Sequence, residues 1–175
     1  MMAEPTEIDA AIRRYRASGI GPSGESAEKV VAIHQLQSLL AHPTTEAFLV
    51  SVLRDREEYD LARVEICKAL RAWSSEGLRD AYADALLEVL QSDDDTLVRQ
   101  WAADALRSFH HVARVVQTLS AKVADATEDP DVRHNALAAL RGAAIGGSER
   151  SVLERVLSDS DIGVAVQTLL RANTP

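Results

Sequence analysis

The sequence predicts an all-α fold, an α-solenoid built as a superhelix of stacked helical hairpins. Three observations predict it. Hydrophobic residues make up 46% of the 175 residues but aromatics only 4%, so the apolar content is mostly Ala, Leu and Val, side chains that suit closely packed helices. The chain holds 8 Gly and 5 Pro, so turns are few and elements are long. One helix pattern recurs along it in steps of 30 to 36 residues, the mark of a repeat architecture.

The clearest pair of copies is LVRQWAADALRSF (97–109) and DVRHNALAALRGA (131–143), which share the frame V-R-x-x-A-x-x-A-L. The frame also fits LARVEICKALRAW (61–73), EKVVAIHQLQSL (28–39) and IGVAVQTLLR (162–171). Aligned this way, a basic column runs Lys29, Arg63, Arg99, Arg133 and ends at Gly163. Apolar columns run beside it: Ala32, Ile66, Ala102, Ala136, Val166, then Leu36, Leu70, Leu106, Leu140, Leu170. Within each copy these columns sit four residues apart, one stripe of a helix.

Each copy, helix A, precedes a second amphipathic stretch, helix B, at 44–55, 77–92, 112–127 and 148–159. Neither helix buries its stripe alone, so neighbouring hairpins must stack into a continuous core. The B-to-A breaks are rich in Asp, Ser and Pro (Asp93-Asp94-Asp95, Glu128-Asp129-Pro130, Asp159-Ser160-Asp161), which are helix-start signals. Residues 1–26 read as an N-terminal capping helix (5–18) with a glycine-containing link, and residues 27–175 as the repeat domain, about four and a half repeats. The lone final helix either packs fully on repeat four or leaves an apolar patch for weak homodimerisation of an otherwise monomeric chain.

The V-R-x-x-A-x-x-A-L frame, with its Asp-rich turn, resembles HEAT-like repeats of the short type named after phycobilisome lyases, over residues 27–172. The rival tetratricopeptide frame, Trp-x2-Leu-Gly-x2-Tyr, is not found. The resemblance implies an interaction scaffold. Other branches of such repeats are pigment lyases, DNA glycosylases and iron-dependent hydroxylases, and small members act as adaptors or immunity proteins.

The residues argue against the enzymatic branches. No His-Glu dipeptide occurs, and the hydroxylase branch depends on such pairs. Net charge is −8, from 19 Lys and Arg against 27 Asp and Glu, which disfavours nucleic acid and favours a basic protein partner. The Arg13, Arg14, Arg16 cluster is the only local basic patch and lies outside the repeats. Cys67 is the single cysteine, so no intramolecular disulfide forms, and its surroundings suggest packing rather than nucleophilic chemistry. No phosphate loop, nucleophile elbow or dinucleotide fingerprint appears. No cofactor, metal or catalytic residue is implied. With neither an apolar leader nor a long apolar run, a soluble cytoplasmic protein without membrane contact is expected.

Candidate partner-binding residues lie where copies disagree. The basic column itself is expected to be structural, each member pairing with an acid of a neighbouring turn, with leftover acids forming a negative edge. Trp101 shares a column with Val31, Glu65, Asn135 and Ala165, a set that implies partial exposure, and an exposed Trp anchors partners well. Asp80, Asp84, Leu87, Glu88 and Gln91 fall on one face of helix B in repeat two. By the resemblance, helix B lines the concave surface, so this acidic stripe is the expected contact surface.

Overall fold

A computed structural model describes residues 5–19, 26–73, 80–93 and 95–173. Most of the link expected at 19–26, with Glu76, Arg79 and Asp94, lies outside them. Ten α-helices follow one another among the described residues: α1 (Pro5–Ala17), α2 (Ala27–Leu36), α3 (Pro43–Arg54), α4 (Asp60–Ala72), α5 (Asp80–Ser92), α6 (Thr96–Ala105), α7 (Ala113–Ala124), α8 (Pro130–Ala139), α9 (Gly147–Glu154) and α10 (Gly163–Ala172). The fold is the all-α solenoid that the column pattern predicts.

The helix starts follow from the turn residues. The Asp95 carboxylate accepts the Val98 N–H at 2.8 Å, and Asp129 accepts those of Asp131 and Val132, which satisfies donors that a helix leaves open at its first turn. Pro43 and Pro130 open their helices, where a missing N–H costs nothing. At the far end two A helices tighten into 3-10 turns, Gln37–Leu39 and Leu106–Phe109. After α8, Gly142 takes φ +86°, a left-handed conformation that glycine enters without penalty. These short exits reverse the chain within a few residues.

The helices form two layers. Helix α4 packs on α2 and α6, and α6 on α8; in the other layer α3 packs on α5 and α7 on α9. Helix α1 packs against both α2 and α3, so it occupies the B-layer place before the first A helix. It does so through Ile8, Ala11, Ile12 and Tyr15, all buried, with the Tyr15 ring edge-on to Phe48 at 5.1 Å. One core runs the length of the stack, and the apolar columns read from the sequence lie in it.

Two terminal details depart from the repeat. Helix B of repeat four is shorter than expected: α9 ends at Glu154, and successive turns fill 155–162. These turns explain why the basic column ends in glycine. A Cβ at Gly163 would collide with the Leu157 carbonyl, so no side chain fits there. The last helix packs rather than floats. Ile162, Val166, Leu169 and Leu170 are buried, and Arg150 of α9 donates to the carbonyls of Leu170 (3.2 Å) and Asn173 (3.0 Å). Of its large apolar residues only Val164 stands well out, at 81% exposure. No helix among the described residues is long and apolar enough to cross a membrane.

Candidate partner-binding surface

The basic column is a set of bolts between repeats. Lys29 pairs with Glu58, Arg63 with Asp93, Arg99 with Glu128 and Arg133 with Asp159, each partner lying in the B-to-A turn of the next repeat. The guanidinium groups also close helix ends. Arg63 donates to the Leu53 carbonyl at 3.0 and 3.2 Å, and Arg133 to the Val123 carbonyl at 3.2 Å. Both carbonyls lie in the last turn of a B helix, where acceptors are unfilled and a cation meets the negative end of the dipole. Arg63 and Arg133 thus tie the end of the preceding repeat to the turn that leads into the following one. With Arg63 at 1% exposure and Arg133 at 6%, neither is available to an anionic ligand.

These pairs set the acid stability. The Arg133 guanidinium, with the N–H groups of Asp161 and Ile162, holds the Asp159 carboxyl down to about 2. Partial burial alone would raise the Glu128 carboxyl, but Lys122, the Asp129 N–H and Arg99 bring it below the usual range. A depressed carboxyl contributes stability that is fully present above its unfolded value, about 4, and lost as pH falls through its folded value. Urea midpoints should therefore fall between about pH 4 and pH 2. Asp159→Asn should lower the midpoint at neutral pH yet flatten its fall in acid; an unchanged slope would count against the pairing.

The helix B stripe of repeat two is placed differently from its expected role. Leu87 is 6% exposed and belongs to the core. Glu88 accepts two hydrogen bonds from Arg54 of α3, at 2.6 and 2.7 Å. Asp84 pairs with Arg114 of α7, and Asp80 lies 3.5 Å from His111. Gln91 is exposed. The acids thus serve as rungs between neighbouring B helices, while Asp80 and Glu88 stay more than half exposed.

Trp101 stands in a richer setting. Its ring is half-buried, with the Lys68 ammonium 4.9 Å from its centroid. Glu65 holds that ammonium at 2.6 Å and also meets His34 at 3.1 Å, so one chain of contacts crosses α2, α4 and α6. On the same two helices Leu61 and Leu97 are 44% and 41% exposed. They occupy the same column on packed helices, four residues before Glu65 and Trp101, and therefore on the same outward face. The column alignment tracked buried positions and passed over this exposed one. Acid rims the leucines: burial and the neighbouring Asp95 carboxylate raise the Asp60 carboxyl above its ordinary value.

The remaining candidates carry no chemistry. Cys67 is fully buried, and burial pushes its thiol up to about 12, so it is not a thiolate near neutrality. Among the described residues no group of three or more His, Cys, Asp and Glu could hold a metal ion. His110 is half-buried with its Nε2 against the Ala139 carbonyl, whereas His111 is exposed.

Comparison with known proteins agrees with this architecture. No curated protein matches the chain. The family model for HEAT repeats matches residues 23–107 and again 83–172. Those matches cover most of the chain and coincide with the bolted A–B hairpins, and the chain therefore belongs to the HEAT-repeat family.

Proposed function

We propose that this HEAT-repeat chain is a non-enzymatic protein-binding module, acting in the cytoplasm, whose contact surface is the outward face of α4 and α6. The observation that carries the reading is the pair of exposed leucines, Leu61 and Leu97, in one column of the packed helices α4 and α6, one turn before Glu65 and Trp101. Most exposed positions of the A helices are polar or small, so a local apolar centre invites an occupant. The rim selects the partner's chemistry. Asp60 and Asp95 crowd each other, and a cation placed between them would relieve that repulsion. The partner is accordingly a protein presenting apolar side chains beside Lys or Arg. Neutralisation of a basic toxin-like enzyme is one form of this reading.

Affinity capture from the native cell tests it. Wild type and a Glu88→Gln variant should retain a common basic partner, and Leu61→Asp/Leu97→Asp should lose it. With hot-spot residues at the centre, the loss should be about 2 kcal/mol or more, at least thirtyfold in affinity. Equal capture by all three proteins would refute the assignment of this face.

A further inference from the structure

The A layer is closely packed from α4 to α8 and then opens. Helix α10 rests mainly on α9, and a groove of about 610 Å³ separates it from α8. That volume lies within the range of small ligand and side-chain pockets. Its floor is apolar, formed by Leu137, Ala143 and Leu169, each no more than 6% exposed. Small Ala165 on the α10 side leaves room for an incoming backbone.

The repeat register shows what the groove lacks. Eight residues past the basic column, each later A helix carries an arginine: Arg71, Arg107, Arg141 and Arg171. Five past it stand Lys68, Asp104, Ala138 and Thr168. Between α4 and α6, Arg71 pairs with Asp104 of the following A helix. Between α8 and α10 the corresponding residues are Arg141 and Thr168, both on the groove's rim. Arg141 is exposed, and its side chain has no ion-pair partner among the described residues. The groove thus has an apolar floor, an unpaired guanidinium and a hydroxyl where the α4–α6 junction supplies a carboxylate.

We propose that this groove binds an acidic, aliphatic peptide segment of a partner protein. Its carboxylate takes the place that Asp104 fills beside Arg71, and its aliphatic side chain covers Leu137 and Leu169. Charge favours this placement. The acids of the B-to-A turns lie at the other end of the A helices, whereas the groove opens near their C-terminal ends, beside Arg141. The site is separate from Leu61 and Leu97, so the two assignments stand or fall independently.

The test uses the full chain and a fluorescein-labelled peptide alternating Leu with Asp and Glu, read by fluorescence anisotropy. Wild type should bind saturably, and a peptide alternating Leu with Lys should not. Arg141→Glu should weaken binding at least about tenfold, whereas Arg141→Lys retains most of it. Thr168→Asp supplies the missing internal carboxylate and should also weaken binding about tenfold, with an unchanged melting curve. Absence of saturable binding up to about 1 mM, or equal binding by Arg141→Glu, overturns the proposal. So does a wild-type dimer in sedimentation that Arg141→Glu dissociates, because the occupant would then be a second copy.

Discussion

Arg63→Ala is expected to lower the unfolding free energy by about 3–5 kcal/mol, a large share of the roughly 5–15 kcal/mol typical of a domain. Arg63 is 1% exposed and Asp93 7%, so truncation leaves a buried carboxylate without its counter-charge. It also strips the Leu53 carbonyl of two donated hydrogen bonds. Repeat arrays gain stability from nearest-neighbour interfaces, so the loss should concentrate at the junctions of repeat two with its two neighbours. Urea unfolding should then become broader or biphasic, with the N-terminal helices separating first. A paired Arg63→Met/Asp93→Leu change should recover much of the loss, because burying an ion pair costs nearly as much as the pair returns. What stays lost is the Leu53 carbonyl's partner and the acceptor of the Asp95 N–H, about 1–3 kcal/mol each. Arg99→Ala should cost less, since its side chain is 16% exposed and water can compensate.

Tyr82→Ala is expected to have a comparable effect, about 3–5 kcal/mol, for a different reason. Tyr82 is fully buried on α5, and its hydroxyl donates to the Leu40 carbonyl at 2.9 Å, in the turn after the first A helix. It therefore spans two repeats at the edge opposite the basic bolts. Burial pushes the phenol well above its ordinary value, so the hydroxyl stays a donor throughout the accessible pH range. Removing the ring opens a cavity that close-packed helices cannot collapse into. Tyr82→Phe separates the two contributions: it keeps the ring, loses the hydrogen bond and should cost about 1–3 kcal/mol. Equal losses in the Ala and Phe variants would mean that the hydrogen bond, not packing, dominates.

Much of the fold was legible because repetition averages out local ambiguity. Five copies aligned on Lys29, Arg63, Arg99, Arg133 and Gly163 placed the A helices and their buried columns. The expected partner of each basic residue, an acid in an adjacent turn, is also the partner it has in the fold. The B helices were less legible. Helix α9 is shorter than its pattern: the chain turns over 155–162 and brings the Leu157 carbonyl against Gly163, an approach that hydrophobic periodicity does not encode. The ion pairing of the acidic stripe was not legible for a specific reason. Glu88 and Asp84 were weighed on their own helix, whereas Arg54 and Arg114 sit about one repeat away on either side. Applying the repeat step to charges as well as to apolar residues would have found both pairs. It would also have set Leu61 beside Leu97, which exposure alone identified.

The most direct test of the central claim, that partner recognition lies on the outward face of α4 and α6 and not on α5, is site-specific photocrosslinking in the native cell. A photoreactive amino acid at position 97 should form an adduct with one basic protein, and the same group at position 88 should form none. An adduct at position 88, with position 97 silent, would contradict it.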